Sequence, residues 1–294
     1  MKIIAIDMGG TQTRLALYDM NGNQLDKFVF STIVEDPDKQ IEIICQYINE
    51  KKKENDISVI GMCSPGPLDI DNGVMLDLPN LPKFKNFGLT DAIIKLTGIN
   101  CHLLGDAQSA AAGEASQYDD GSTNVFFTIS TGFGAGLVIN GENYMGTNKI
   151  AMEIFDSKFT YINYNGDVSI RTIEQIVSGT HLYNEAIANN LNVENTKGLF
   201  DLYNEGNEVA IYIIDNMITN LALFVVNTSY ILDPTRYIIG GSVFNHNKFL
   251  FDKLKVEVNK YIRPELQDKY DIIPAHFVDD AGLVGAYMYG KKFI

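Results

Sequence analysis

Tryptophan is absent, cysteine occurs three times and histidine four times, and 23 Lys and Arg face 37 Asp and Glu. The cysteines, Cys45, Cys63 and Cys101, are odd in number and lack metal-ligand spacing, which excludes a disulfide framework and fits a reducing compartment. His102, His181, His246 and His276 share no ligand spacing and read as structural or solvated side chains. A formal net charge of −14 argues against nucleic acid as a partner, because neutralising a phosphate backbone needs clustered Lys and Arg. A clean membrane-length apolar run is also missing. The most apolar stretch, Ile211 to Leu232, is broken by Asp215, Asn216, Asn220, Asn227 and Thr228 and reads as a buried helix. The opening Met1-Lys2 runs straight into a strand without the features of a signal peptide, so a cytoplasmic protein away from membranes is expected.

What is present is ordinary for a globular protein: 46% hydrophobic residues, 20% charged, and 16 Phe and 15 Tyr to fill a core. The length of 294 residues predicts two domains. One short pattern occurs twice. Ile3-Ile4-Ala5-Ile6-Asp7 leads into Gly9-Gly10-Thr11, then Leu15-Ala16-Leu17-Tyr18 and the turn Asn21-Gly22. Val125-Phe126-Phe127-Thr128-Ile129 leads into Ser130-Thr131-Gly132-Phe133-Gly134, then Gly136-Leu137-Val138-Ile139 and Asn140-Gly141. Each copy reads as strand, glycine turn, strand and hairpin signal. Two related halves that hold one polyphosphate from both sides are the implied arrangement.

Between the copies, helical spacing covers Asp36 to Asn55 and Thr90 to Leu96, and strands are predicted at Ile57 to Cys63 and Cys101 to Leu104. The latter strand delivers Gly105-Asp106 ahead of an alanine-rich helix, Ala107 to Ser116. Ligands in open α/β sheets gather beyond the carboxyl ends of strands, so Asp106 is well placed for chemistry. Past the second copy, Glu142 to Ile170 reads as loop-rich. Helices follow near Thr172 to Val177, across Leu182 to Asn190 and across Glu208 to Leu232. A strand then runs from Tyr237 into Gly240-Gly241, another lies at Ile272-Ile273, and a last helix covers Ala281 to Tyr289.

Glycine turns flanked by hydroxyls suit phosphate, because backbone without Cβ atoms approaches closely and aims several N–H groups at the oxygens. Neither turn is a P-loop or a dinucleotide fingerprint, since each is followed by a strand. Asp7 has two readings: a carboxylate that holds a hydrated Mg²⁺ beside the phosphates, or one that accepts turn N–H groups. Asp106 also has two, a helix N-cap or a base for a hydroxyl proton.

Seven segments in order give the chain a wider resemblance. They are Asp7 to Thr13, Pro65-Gly66-Pro67, Asn80-Leu81-Pro82, Gly105 to Glu114, Ser130 to Gly136, Gly240-Gly241 and Asp280 to Ala286. Together they resemble the motifs of the ROK family (repressors, open reading frames, kinases), whose enzymes are sugar kinases of the actin and hexokinase superfamily. The resemblance implies an α/β fold of two actin-like ATPase (ribonuclease H-like) domains with a cleft between them. One would span residues 1–118 completed by a C-terminal helix at 280–294, the other residues 119–279. It implies ATP and Mg²⁺, with Asp7, Gly9, Gly10, Thr11, Thr131, Gly132 and Gly134 around the phosphates and Gly240 and Gly241 against the adenosine. Asp106 would be the catalytic base. Gly66, Asn80, Gly105, Glu153, Asp156 and Glu174 would fall at the sugar, and a homodimer is the implied assembly.

The sugar side departs from the family pattern. Gly105 stands where family kinases usually carry Asn, and Asp156 stands where their Glu-Ile-Gly-His motif has His. The cysteine cluster that holds structural zinc in many members has no counterpart, since Tyr161 to Arg171 contains no Cys, so no zinc site is expected. An ionised carboxylate accepts hydrogen bonds but donates none, so Asp156 implies either a re-tuned pocket or one that no longer takes the usual hexoses. The leading expectation is an ATP-dependent kinase for a hexose or amino sugar (glucose, N-acetylmannosamine or a β-glucoside). A catalytically weak sugar or nucleotide sensor is the alternative. A repressor is disfavoured, because no helix-turn-helix precedes the strand at Ile3.

Overall fold

The structure, a computed structural model, describes residues 1–78, 81–118 and 120–294. It divides into two compact units: Met1–Asp119, Gly141–Asn143 and His276–Ile294 in one, Asp120–Asn140 and Tyr144–Ala275 in the other.

The first unit is built on a five-stranded sheet. Its strands are β1 (Lys2–Met8), β2 (Gln12–Asp19), β3 (Gln24–Ser31), β4 (Ile57–Ser64) and β5 (Cys101–Gly105), in the order β3-β2-β1-β4-β5. β1 pairs antiparallel with β2 and parallel with β4, so the glycine turn is the tip of a hairpin whose first arm lies at the centre of the sheet. Ile3 to Met8 are all buried, as expected for a strand covered on both faces. One face packs Ile4, Ile6, Met8, Leu15 and Leu17 against Ile41, Ile44 and Ile48 of α1 (Pro37–Lys52) and Ile93 of α2 (Leu89–Thr97). The other packs Ile3, Ala5, Ala16 and Tyr18 against Leu283, Ala286 and Tyr287 of the C-terminal helix, Ala281–Lys291. Asp36 caps α1 by accepting from Lys39 N–H at 3.0 Å, with Pro37 at the first helical position. A third helix, α3 (Asp106–Ala115), follows β5 directly.

The second unit repeats the plan. β6 (Thr123–Ile129) and β7 (Phe133–Ile139) form the hairpin, and Arg236–Gly240 and Asp271–Pro274 extend the sheet in parallel from β6. Its core gathers Phe127, Phe133 and Tyr237 with Met217, Leu221 and Phe224 of the long helix Glu208–Leu232. By length and composition that helix is apolar enough to cross a membrane, and its polar residues do not interrupt it. It packs as the central helix of this unit's core, with Ile213, Ile214, Leu221 and Val225 at 0–2% exposure.

Several elements were not expected from the sequence. The stretch read as loop contains a hairpin, Lys158–Ile162 with Val168–Thr172, turned at Asn165-Gly166. The first strand alternates, with Phe159 and Tyr161 turned to the core and Lys158, Thr160 and Ile162 outward, whereas Val168 and Ile170 of the second strand are exposed. Arg171 also anchors the hairpin, lying 3.9 Å from the Tyr161 ring centre and 2.7 Å from Glu185. Helices Thr196–Asn204 and Phe249–Tyr261 were likewise missed, as was the edge strand β3.

Candidate functional site

In the first unit three parallel strands bring their carboxyl ends to one sheet edge. Asp7 of β1 lies in register with Cys63 of β4, and Ser64 of β4 with Gly105 of β5. The glycine turn, the Pro65-Gly66 turn and Asp106 therefore all leave from the edge where α/β sheets bind ligands. Asn80 lies outside the described residues.

The turn is closed by Gly9 N–H donating to Gln12 O at 2.9 Å, and the Thr32 hydroxyl donates to Gly9 O at 2.6 Å. A Cβ on Gly9 would meet Gln12 O at 3.1 Å, whereas one on Gly10 would meet nothing within 4 Å. A side chain at Gly9 would thus crowd the carbonyl that closes the turn. Gly10 and Thr11 are exposed, so the protein supplies no reason of its own for a bare backbone at Gly10.

Asp7 is 9% exposed, and burial raises its pKa against the opposing pull of Arg14 and Cys63. Arg14 Nη1 donates to Asp7 Oδ2 at 3.2 Å, and Cys63 Sγ lies 3.4 Å from Oδ1. Arg14 was not singled out from the sequence. The signal was available, because a hairpin closed at Gly9 to Thr11 sets Asp7 opposite Arg14 with both side chains on one face.

Asp106 opens α3 and is exposed. The cap position falls on Gly105, which has no side chain to offer, and Asp106 Oδ1 accepts from Ala107 N–H at 2.7 Å. A Cβ on Gly105 would meet only the Gln108 side chain, at 3.6–3.9 Å, an ordinary contact. Backbone geometry therefore does not force glycine here, and the missing side chain leaves space beside Asp106.

In the second unit, Ser130 N–H donates to Gly132 O at 3.0 Å, and Phe133 N–H donates to Glu174 Oε2 at 2.9 Å. A Cβ on Gly132 would come within 2.9 Å of the same oxygen, so Glu174 is seated against the second glycine turn and fastens it. Gly179 N–H donates to Ser130 O at 2.6 Å, which ties the turn to the start of helix Gly179–Ala188. Gly241 has φ +89°, and a Cβ there would lie 2.3 Å from Ile129 O, so only glycine lets the chain pass so close to the end of β6. Ser242 and Val243, directly after it, line a cavity of about 930 Å³ together with Ser130, Thr131, Tyr183, Lys197 and His246. Tyr183 and Lys197 arrive from helices remote in sequence, and nothing local marked them.

Of the expected sugar residues in this unit, Glu153 is exposed, with its pKa raised by desolvation from the protein around it. Asp156, also exposed, pairs with Lys158. No group of three or more His, Cys, Asp or Glu able to hold a metal ion occurs among the described residues.

Comparison with known proteins agrees with this architecture. A family model described as the ROK family matches residues 3–292. The chain is 29% identical to a glucokinase of Thermotoga maritima, covering 100% of this chain and 98% of that one. It is 28% identical to an N-acetylmannosamine kinase of Escherichia coli, covering 100% of both. Among solved structures, a ROK hexokinase from Thermus thermophilus superposes with a TM-score of 0.87 at 24% identity, over 100% of this chain and 99% of that one. With seven ordered motifs, the doubled glycine turn and a family match from Ile3 to Lys292, the chain belongs to the ROK family.

Proposed function

We propose that the protein is an ATP-dependent kinase that phosphorylates a hydroxyl of a hexose or amino sugar. The observation that carries this reading is the shared sheet edge of the first unit, which presents the open Gly10 turn and the exposed Asp106 together. In the second unit the cavity beside Ser130-Thr131 supports nucleotide binding, and Gly241 lets the chain pass close to Ile129 just before Ser242 and Val243 enter its lining. Asp106 accepts the sugar hydroxyl proton as the phosphoryl group moves, a role that a positioned carboxylate can fill. Glu174, by fixing Phe133 N–H, keeps the second turn in shape for the phosphates.

Magnesium enters with the nucleotide as Mg·ATP and neutralises phosphate charge. The donor set fits a metal carried by phosphates and water rather than one held directly by protein, because Asp7 already accepts from Arg14 and Cys63. The same reading carries a cytoplasmic homodimer without zinc whose partners are sugar and nucleotide.

The test is ADP release over glucose, mannose, fructose, N-acetylmannosamine, N-acetylglucosamine and β-glucosides, with zinc measured on the same preparation. Turnover with at least one sugar and no stoichiometric zinc is the expected result. Nucleotide binding without turnover on any of them would favour the sensor reading. A sharper check on the turn is Gly10→Ala. The added methyl meets no protein atom within 4 Å, so thermal stability should hold while ATP affinity falls. Unchanged affinity would place the phosphates elsewhere.

A further inference from the structure

We propose that Arg171 is a positioning residue for the second glycine turn: it closes a ring of contacts that sets Glu174 and the turn carbonyls of Ser130 and Thr131. The proposal rests on the kinase reading, in which that turn meets the nucleotide.

The ring starts at an ion pair. Arg171 Nη1 donates to Glu185 Oε2 at 2.7 Å, and the guanidinium lies 3.9 Å from the Tyr161 ring centre. The Glu185 side chain is 9% exposed and that of Arg171 29%, so the carboxylate is the more deeply buried member. Asn189 Nδ2 donates to its other oxygen at 3.3 Å. Burial, and after it the Glu185 charge, raise the pKa of the Tyr161 phenol, which places the three groups in one cluster. A guanidinium between a ring face and a carboxylate is held in one orientation.

From this cluster two routes run to the same turn. Glu185 belongs to helix Gly179–Ala188, roughly 9 Å along the axis from its start. There Gly179 N–H donates to Ser130 O at 2.6 Å and Thr180 N–H to Thr131 O at 3.4 Å. On the other side, Arg171 lies near the end of the hairpin, three residues before Glu174. Thr172 and Gln175 exchange hydrogen bonds at 3.0 and 3.1 Å, and Ile173 N–H donates to Ser157 O at 2.8 Å. Glu174 Oε2 then receives Phe133 N–H at 2.9 Å. The turn thus has its carbonyls held by the helix and an N–H held from the hairpin side, and Arg171 ties the two holders together.

The competing account is that the ion pair only steadies the hairpin. Calorimetry with Mg·ATP separates the two, because unfolded protein lowers the binding stoichiometry and leaves the affinity of the folded remainder as it was. Arg171→Met is expected to weaken ATP about tenfold, as misaimed turn amides would. The double variant Arg171→Met with Glu185→Gln removes the carboxylate that the single change would orphan, so its Tm should recover while its ATP affinity stays low. Arg171→Lys keeps the ion pair and should restore most of the affinity. Tyr212→Phe is the control. It removes the hydrogen bonds from Tyr212 Oη to Ile162 O and Asn163 O, at 2.9 and 3.0 Å, and loosens the far end of the hairpin. It should lower Tm and leave ATP affinity unchanged. ATP affinity within about twofold of wild type in the folded Arg171→Met variants, or an equal loss in Tyr212→Phe, overturns the role of Arg171 and leaves the kinase reading standing. A wild-type protein that binds no nucleotide overturns both.

Discussion

Asp106→Asn should bind ATP as tightly as the wild type while kcat falls by at least about 10²-fold, the usual scale for a general base. Asparagine keeps an acceptor oxygen for Ala107 N–H, the contact that Asp106 Oδ1 makes at 2.7 Å, so the start of α3 should survive the change. What it loses is the capacity to take a proton. The side chain is exposed and the helix cap falls on Gly105, so neither burial nor capping gives Asp106 a large structural duty. Equal thermal stability, equal ATP affinity and collapsed turnover together would identify a chemical role. Full turnover in a folded Asp106→Asn protein would remove the residue from catalysis and require another acceptor at the same sheet edge.

The contrast between Asp106 and Asp7 shows how far local sequence reaches. Both are aspartates at the carboxyl end of a parallel strand within two residues of a glycine, and each has two readings from its local sequence. Placement separates them. Asp106 begins a helix in the open, whereas Asp7 is covered by Gly282, a residue 275 positions away that only the folded chain brings near. The doubled hairpin was legible because period, turn residues and the Asn-Gly signals agree within about 20 residues. The cavity of the second unit was half legible. Thr131 announced itself, and Gly240-Gly241 marked the chain that leads into Ser242 and Val243, while Tyr183 and Lys197 take their positions from how two helices pack. The hairpin at Lys158–Thr172 was hard to read because only Phe159 and Tyr161 turn inward while Val168 and Ile170 of its second strand are exposed, and Arg171 fastens it by stacking on Tyr161 and pairing with Glu185.

Gly285→Ala is expected to damage the first unit more than any single surface change and to carry the active residues with it. A Cβ at 285 would lie 1.7 Å from Ser109 O and 2.4 Å from its carbonyl carbon, distances that no rotamer adjustment relieves because both atoms are α3 backbone. The same packing recurs along the C-terminal helix: a Cβ on Gly113 would strike Ala281 O at 2.3 Å, and one on Gly61 would strike Ala286 O at 1.9 Å. Glycines on α3, β4 and the C-terminal helix thus let backbone lie against backbone, and Ser109 Oγ adds a hydrogen bond to Gly282 O at 2.8 Å. Relieving the clash means moving the helix. The cost should reach about 3 kcal/mol, the upper range for overpacking, which corresponds to a fall in Tm of roughly 6–12 °C at 2–4 °C per kcal/mol. The helix also covers Asp7 through Gly282, and Ser109 lies one turn from Asp106, so a displaced helix disturbs both ends of the sheet edge. Below its lowered Tm, the variant should therefore show reduced kcat and weaker ATP binding together, unlike Asp106→Asn, which loses kcat alone. Wild-type stability in Gly285→Ala would mean that the helix is seated less deeply than these distances require.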